Sequence, residues 1–324
     1  MKVLVTGGAG YIGGFMVKRL LDEGHEVIVA DSLERGHESA LDRRAAFIKG
    51  NLLDQAFITE LFSQRPFDCV MHFAAYIAVG ESMQHPGLYF RNNVFNTVSL
   101  LEAMKEHGVN KFIFSSTGTV YGTPSVNPIP ETHVKNPENP YAESKYMVEK
   151  ILHWYYTVHG IGSAVLRYFN ASGAALDGSL GESHDPETHL IPNAIKAALT
   201  NSEFHLYGSD YDTSDGTCIR DYIHVLDLIE AHILTLKKLD EQNGEYLYNV
   251  GTGKGSTNKE VVEMIKKISG TDFSVILKER RPGDVAKTVA DATKIKAELS
   301  FFPKYSDLET IIRTAWDWHK RNEK

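Results

Sequence analysis

A phenol and an ammonium four positions apart on a helix can work on one proton, and Asn139-Pro140-Tyr141-Ala142-Glu143-Ser144-Lys145 offers that pair. Asn139 is a candidate cap and Pro140 suits a first turn, so the segment predicts a helix with Tyr141 and Lys145 on one face. The ammonium and the positive end of the helix both favour a phenolate, which predicts a Tyr141 pKa below its reference near ~10. A phenolate there could take a hydroxyl proton while the carbon beneath gives hydride to a nicotinamide. The charge of the nicotinamide ring would lower the pKa further, and its ribose is within the reach expected of Lys145. Such pairs also arise by chance on surface helices, so the reading depends on a dinucleotide site elsewhere in the chain.

Thr6-Gly7-Gly8-Ala9-Gly10-Tyr11-Ile12-Gly13 supplies the signal for that site, directly after the apolar run Val3 to Val5. Glycines at 7, 10 and 13 allow a tight strand-to-helix turn and let the backbone approach a pyrophosphate, whose charge the free N–H groups of the helix start would bind. Asp31 ends the next apolar run, where a carboxylate can accept hydrogen bonds from an adenosine ribose and repel a 2′-phosphate, favouring NAD over NADP. The alternatives are that Asp31 only caps the following turn and that Arg35 welcomes a 2′-phosphate. Ser115-Ser116-Thr117 closes a further apolar run, the place where open parallel sheets put ligand contacts. Thr117 is the candidate for bonding the reacting hydroxyl, and the alternative is that these hydroxyls satisfy local backbone groups.

The elements that must position these residues follow from periodicity. Apolar runs at Val3 to Val5, Val27 to Ala30, Cys69 to Phe73, Phe112 to Ser115 and Ala164 to Tyr168 alternate with helix-period segments, which predicts an α/β fold with a doubly wound parallel sheet. After Gly173 the pattern loosens into polar loops, so residues 1–172 are expected to form a Rossmann domain and 173–324 a smaller α/β substrate domain, with some segments returning to the first. Asp307 to Lys320 reads as an amphipathic closing helix whose tryptophans pack. With 324 residues, 42% of them hydrophobic, the chain is long enough for two cores. A net charge of −8 without a basic run disfavours nucleic acid or an anionic membrane as partner. Cys69 and Cys218 stand far apart in no metal or disulfide spacing, so no metal site is expected and a reducing cytoplasm fits. The chain begins as a strand and has no 18-residue apolar run, so neither a signal peptide nor a membrane span is expected.

Eight motifs carry a family resemblance: TGGAGYIG at the start, HFAAYIAVGES from His72, NNV from Asn92, SSTGTVYG from Ser115, NPYAESK from Asn139, RYFNASGA from Arg167, GTCIRDYIHV from Gly216 and RRPGD from Arg280. On these the chain resembles the extended short-chain dehydrogenase/reductase superfamily and, within it, the UDP-glucose (UDP-galactose) 4-epimerases, over nearly its whole length. The family reaction moves hydride from C4 of the hexose to NAD, turns the 4-keto sugar over and returns hydride to its opposite face. The resemblance implies that Tyr141 is the base, Thr117 the hydroxyl contact and Lys145 the cofactor-ribose ligand, with Tyr168 beside the nicotinamide and Ser115 a further cofactor-binding residue. It extends the NAD site from Gly7, Gly10, Tyr11, Ile12, Gly13 and Asp31 to Asn51, Leu52, Phe73, Ala74, Ala75 and Asn93. It assigns the UDP-sugar to Asn170, His189, Leu190, Phe204, Tyr207, Arg220, Arg281, Asp284 and Thr288, together with Thr117 and Tyr141. Guanidinium forks suit a diphosphate. A ring that must rotate cannot be gripped firmly, so binding should come mainly from UDP. A homodimer through helices near Pro86 to His107 and Tyr141 to His159 is also implied.

The chain departs from the family pattern in places. Ile77 stands where some relatives have a phosphate-contacting lysine, and Asn51 where many have aspartate. Thr288 occupies the position of a bulky tyrosine in some members, which predicts room for N-acetylhexosamine nucleotides. Gly118-Thr119 replaces the Asp-Glu pair of 4,6-dehydratases and disfavours that activity. UDP-glucuronate 4-epimerase, UDP-glucuronate decarboxylase and a non-catalytic NAD(H)-sensing regulator remain as alternatives, and retention of Thr117, Tyr141 and Lys145 counts against the last.

Overall fold

The computed structural model describes residues 1–63, 66–281 and 283–322, so Pro282 of the RRPGD motif and the last two residues of the expected second domain lie outside the described residues. The chain divides into two units. The first comprises Met1–Gly122, Val134–Arg167 and Ala231–Tyr248, and the second Thr123–His133, Tyr168–Glu230 and the residues from Asn249 onward.

Unit 1 is built on a sheet most of whose strands read as apolar runs because both faces are covered. They are β1 Lys2–Thr6, β2 Glu26–Asp31, β3 Ala46–Lys49, β4 Cys69–His72, β5 Lys111–Thr117 and β6 Gly162–Tyr168. Together with the Glu245–Val250 strand they lie in the order Glu245–Val250, β6, β5, β4, β1, β2, β3. The β1–β2, β1–β4, β2–β3 and β4–β5 pairs are parallel. This is the doubly wound arrangement expected, with the crossover beside β1. Two strands fall outside the five apolar runs. β3 is four residues long, half-buried only at its two central positions, and the Glu245–Val250 strand begins exposed, so neither carries a long apolar run. Leu4, Ile28, Val70, Phe112 and Phe114 from the sheet pack with Leu100 and Met104 in one core.

The expected helix runs from Pro140 to His159. Asn139 adopts an extended backbone and its side chain accepts a 2.9 Å hydrogen bond from the Ala142 N–H, as a cap should. Gly160, left-handed at φ 69°, ends it.

A buried ion pair ties this helix to the sheet. Arg167 on β6 and Glu149 on the helix have side chains only 2% and 6% exposed. The Arg167 Nε donates to Glu149 at 2.9 Å, a second guanidinium N–H donates to the other carboxylate oxygen, and Nη1 donates to the Tyr121 hydroxyl at 2.8 Å. Ser116, near the end of β5, donates to the same carboxylate at 2.5 Å.

Unit 2 packs the helices Leu190–Thr200, Asn258–Ser269 and Leu308–Asn322 around a core of Ile191, Ile195, Val261, Ile265, Ile311 and Ile312. The closing helix expected at Asp307 to Lys320 is thus present, and Trp316 packs on that core. A small sheet pairs Ile219–Arg220 with Ser256–Thr257 on one side and Lys287–Thr288 on the other. Buried Asp221 holds this region by accepting from the Thr252, Gly253 and Ala290 N–H groups. Among the described residues no helix is long and apolar enough to cross a membrane.

Candidate active site

The glycine-rich turn of unit 1 separates two reasons for glycine. Gly7 has φ +74°, and a Cβ there would lie 2.4 Å from the Ala74 nitrogen. A Cβ on Gly13 would lie 2.1 Å from the Gly7 carbonyl oxygen. The protein's own backbone demands glycine at both. At Gly10 a Cβ would meet only the Gly7 oxygen, at 3.3 Å, and φ is an ordinary −86°. The open side of the turn is therefore at Gly10, at the N-terminus of the Tyr11–Asp22 helix, where a phosphate would be met by backbone N–H groups. Half-buried Tyr11 and Ile12 follow, with the Tyr11 ring packed edge-on against Phe15 at 5.7 Å. These residues fit a pyrophosphate.

Asp31 caps the turn that follows it and does more. Its Oδ1 accepts from the Leu33 N–H at 2.9 Å and its Oδ2 from the Ala9 N–H at 3.0 Å, which fixes the carboxylate against the glycine-rich turn. Arg35 is engaged elsewhere: it donates to Glu81 at 2.8 Å and its guanidinium lies 4.9 Å from the Tyr76 ring centre. The case for NADP through Arg35 weakens accordingly. Asn51 accepts from the Leu53 N–H at 2.9 Å, an Asx turn beside buried Leu52. Phe73 donates from its backbone to Thr6 at 2.9 Å, which leads Phe73, Ala74 and Ala75 past Gly7. Asn93, 2% exposed, clamps the next residue, accepting from the Tyr76 N–H at 2.9 Å and donating to the Tyr76 carbonyl and the Ser144 hydroxyl, each at 3.0 Å.

Thr117, Tyr141 and Lys145 come together in the same unit. Thr117 hydrogen-bonds the Tyr141 phenol, and its hydroxyl also accepts from the Thr119 N–H at 3.1 Å, so it both meets the phenol and satisfies local backbone. The expectation of a lowered Tyr141 pKa is not met by the polypeptide alone. Burial pushes it up to about 12, and the Thr117 hydrogen bond opposes that only in part. Lys145 is subject to the same desolvation: burial pushes it down to about 7, against the pull of Glu149. Its Nζ donates to the Ser115 carbonyl at 2.9 Å and lies 4.8 Å from the Phe114 ring centre. The desolvation of both groups outweighs the helix-surface electrostatics on which the expectation rested.

In unit 2 the expected substrate residues form two groups. The Arg220 Nη1 donates to the Ile219 and Val285 carbonyls at 3.0 and 2.7 Å, and its Nη2 is 3.9 Å from Asp284. Arg281 donates to the same carboxylate at 3.3 Å and lies 4.9 Å from the Tyr207 ring centre. Thr288 is the strand partner of Arg220, and the Asn170 amide donates to the Asp221 carbonyl at 3.1 Å. Two guanidiniums share one carboxylate, which leaves a net positive charge for an anion. In the second group, Leu190 and Phe204 pack on one core, with Phe204 edge-on to Phe273 at 6.3 Å. The His189 imidazole is 2.8 Å from Glu182 and 3.1 Å from Glu187, its backbone N–H donates to Glu187 at 2.8 Å and its carbonyl accepts from the Asn193 amide at 2.8 Å. Tyr168 is half-buried at the end of β6.

Residues 3–251 match the model of the NAD dependent epimerase/dehydratase family. UDP-glucose 4-epimerase of Lactobacillus helveticus is 46% identical over 325 residues, 100% of this chain and 98% of that protein. The chain belongs to the NAD-dependent epimerase/dehydratase family, among its UDP-glucose 4-epimerases. The crystal structure of UDP-glucose 4-epimerase from Brucella ovis in complex with NAD matches it with a TM-score of 0.94 at 46% identity, over 98% of this chain and 97% of that one. The UDP-Glc/GlcNAc 4-epimerase of Campylobacter jejuni matches with a TM-score of 0.87 at 43% identity, over 99% of each chain.

For a member of this family, sequence reasoning left out Glu149, Arg167 and Ser116, which fix the end of β5 and the Tyr141 helix. A carboxylate four residues after Lys145 was the available signal, since it shares the face of Tyr141 and Lys145. The glycine turn yields a prediction. Gly10→Ala should change unfolding stability by no more than about 1 kcal/mol yet weaken NAD binding roughly tenfold or more. Gly13→Ala should cost about 1–3 kcal/mol of stability in addition. Urea unfolding and NAD titration of both variants check it, and equal NAD affinity in Gly10→Ala and the parent would refute the assignment.

Proposed function

We propose that the chain interconverts UDP-glucose and UDP-galactose by reversible oxidation at C4 of the hexose. The observation that carries this reading is the hydrogen-bonded Thr117–Tyr141 pair, with Lys145 one turn further along the helix, in the unit that holds the glycine-rich turn and Asp31.

NAD, when bound, supplies the acceptor for the C4 hydride and returns it. Gly7, Gly10, Tyr11, Ile12 and Gly13 receive the pyrophosphate, Asp31 the adenosine ribose, and Asn51 and Leu52 the adenine. Phe73, Ala74, Ala75, Ser115 and Tyr168 line the rest of the cofactor, and Asn93 holds their loop in place. Tyr141 takes the proton of the C4 hydroxyl, and Thr117 bonds to the same oxygen and to the phenol. A phenol that burial holds at about 12 needs positive charge beside it to ionise near neutral pH. A protonated Lys145 supplies such charge, and an oxidised nicotinamide, if bound beside the phenol, would add to it. Tyr141 then returns the proton to the C4 oxygen as the keto carbon of the turned ring regains hydride on its opposite face.

Arg220 and Arg281, with Asp284 orienting both, hold the diphosphate. Asn170, Tyr207, Phe204, His189 and Leu190 hold the rest of UDP. Thr288 leaves room beside the sugar C2 substituent, and the Campylobacter jejuni relative, named for both UDP-Glc and UDP-GlcNAc, supports acceptance of N-acetylhexosamine nucleotides. We infer a homodimer as well, from Phe95, Trp154 and Val158, each at least 60% exposed on the helices expected to pair. Buried free thiols at Cys69 and Cys218 suit a reducing compartment such as the cytoplasm.

Incubation with UDP-galactose and no added NAD should yield UDP-glucose without keto or dehydrated product. Tyr141→Phe should keep UDP and NAD affinity while kcat falls roughly 10²–10⁴-fold, and near-normal kcat would remove Tyr141 from the mechanism. UDP-N-acetylglucosamine should be epimerised too and Thr288→Tyr should abolish that reaction selectively; UDP-glucose turnover without it refutes the wide pocket. Light scattering should give a dimer that Trp154→Glu dissociates, and a monomeric parent protein would exclude the interface.

A further inference from the structure

Ahead of the Leu190–Thr200 helix, unit 2 gathers two carboxylates and two imidazoles that the epimerisation does not use. The four ligand atoms of Glu182, His184, Glu187 and His189 all lie within 4.8 Å of one another. The His184 Nδ1 is 3.2 Å from Glu182 and 3.5 Å from Glu187, and the His189 Nδ1 is 2.8 Å from Glu182 and 3.1 Å from Glu187. Both rings turn the same nitrogen inward. Donor atoms at about 2.0–2.1 Å from a tetrahedral ion stand roughly 3.3 Å from each other; the four imidazole–carboxylate spacings, to one or other Glu187 oxygen, lie around that value, and the four donors as a set lie within 4.8 Å.

The donors are held in place independently of any ion. The Glu182 carbonyl accepts from the Trp318 indole N–H at 3.2 Å, and a Cβ on neighbouring Gly181 would lie 2.3 Å from the Trp318 ring, so this stretch lies tightly against the closing helix. The Asn193 amide donates to the Glu187 carbonyl at 3.3 Å and the His189 carbonyl at 2.8 Å, anchoring the other end. The Glu182 side chain is only 8% exposed. Two partly buried carboxylates side by side need two positive charges, which two imidazolium protons or one divalent cation can supply.

We propose that Glu182, His184, Glu187 and His189 bind one zinc-class divalent cation that fixes the segment leading into the Leu190–Thr200 helix. Two imidazoles and two carboxylates suit Zn²⁺, whereas Ca²⁺ and Mg²⁺ take oxygen donors. The ion has no open position for catalysis when all four side chains coordinate it, so its role is structural. Binding displaces protons. Affinity therefore increases with pH.

The full-length protein, stripped with chelator and titrated with zinc chloride, should retain one equivalent per chain and melt at higher temperature when loaded. His184→Ala and Glu182→Gln should lose both effects. Binding should be weaker at about pH 6 than at about pH 8. No stoichiometric zinc in the parent, or zinc retained unchanged in both variants, overturns the proposal and leaves the cluster a set of ion pairs. Should the variants not fold, cobalt(II) titration of the parent decides: tetrahedral visible bands at one equivalent support the site, and the pale octahedral spectrum of cobalt in buffer refutes it.

Discussion

A guanidinium inside a folded unit persists only while its charge is matched, and Arg167 is matched by Glu149 on a different element of the chain. Removing either partner would leave an ion whose desolvation costs several kcal/mol. The pair thereby fixes the distance between β6 and the Tyr141 helix, and Ser116 and Tyr121 extend it to the end of β5. Thr117 is the next residue after Ser116, and Tyr141 lies two helical turns before Glu149 on the same face. The contact between Thr117 and Tyr141 is thus set by a network that itself takes no part in the chemistry. Helix propensity alone would leave the phenol free to drift relative to the strand end.

The same burial that gives the pair its rigidity shapes the chemistry. Desolvation disfavours the charged form of each group, raising the tyrosine and lowering the lysine. A buried phenol of this kind stays protonated unless positive charge is placed beside it. Lys145 meanwhile is positioned by the Ser115 carbonyl and the Phe114 ring, not by a contact with the phenol.

Unit 2 solves a different problem, which is to present charge without surrendering its fold. Arg220 satisfies two backbone carbonyls while Asp284 orients both guanidiniums. The Glu182–His189 segment uses opposite charges in another way, balancing carboxylates against imidazoles beside the start of a helix. The Phe204 ring packs in the core of this unit beside Leu190.

The sequence by itself determined the parallel sheet, the glycine-rich turn followed by Asp31, and a capped helix carrying Tyr141 and Lys145 on one face. These features rest on local periodicity and backbone geometry, which a linear pattern records. β3 and the Glu245–Val250 strand escaped because short or edge strands lack the long apolar run that marks a buried one. Only the tertiary structure decided the direction of the Tyr141 and Lys145 shifts, because burial is a sum over atoms from many segments. It alone joined Glu149 to Arg167 and Arg220 to Asp284, which are remote in sequence. The four donors of residues 182–189 are close in sequence, yet their convergence depends on Trp318 at the far end of the chain.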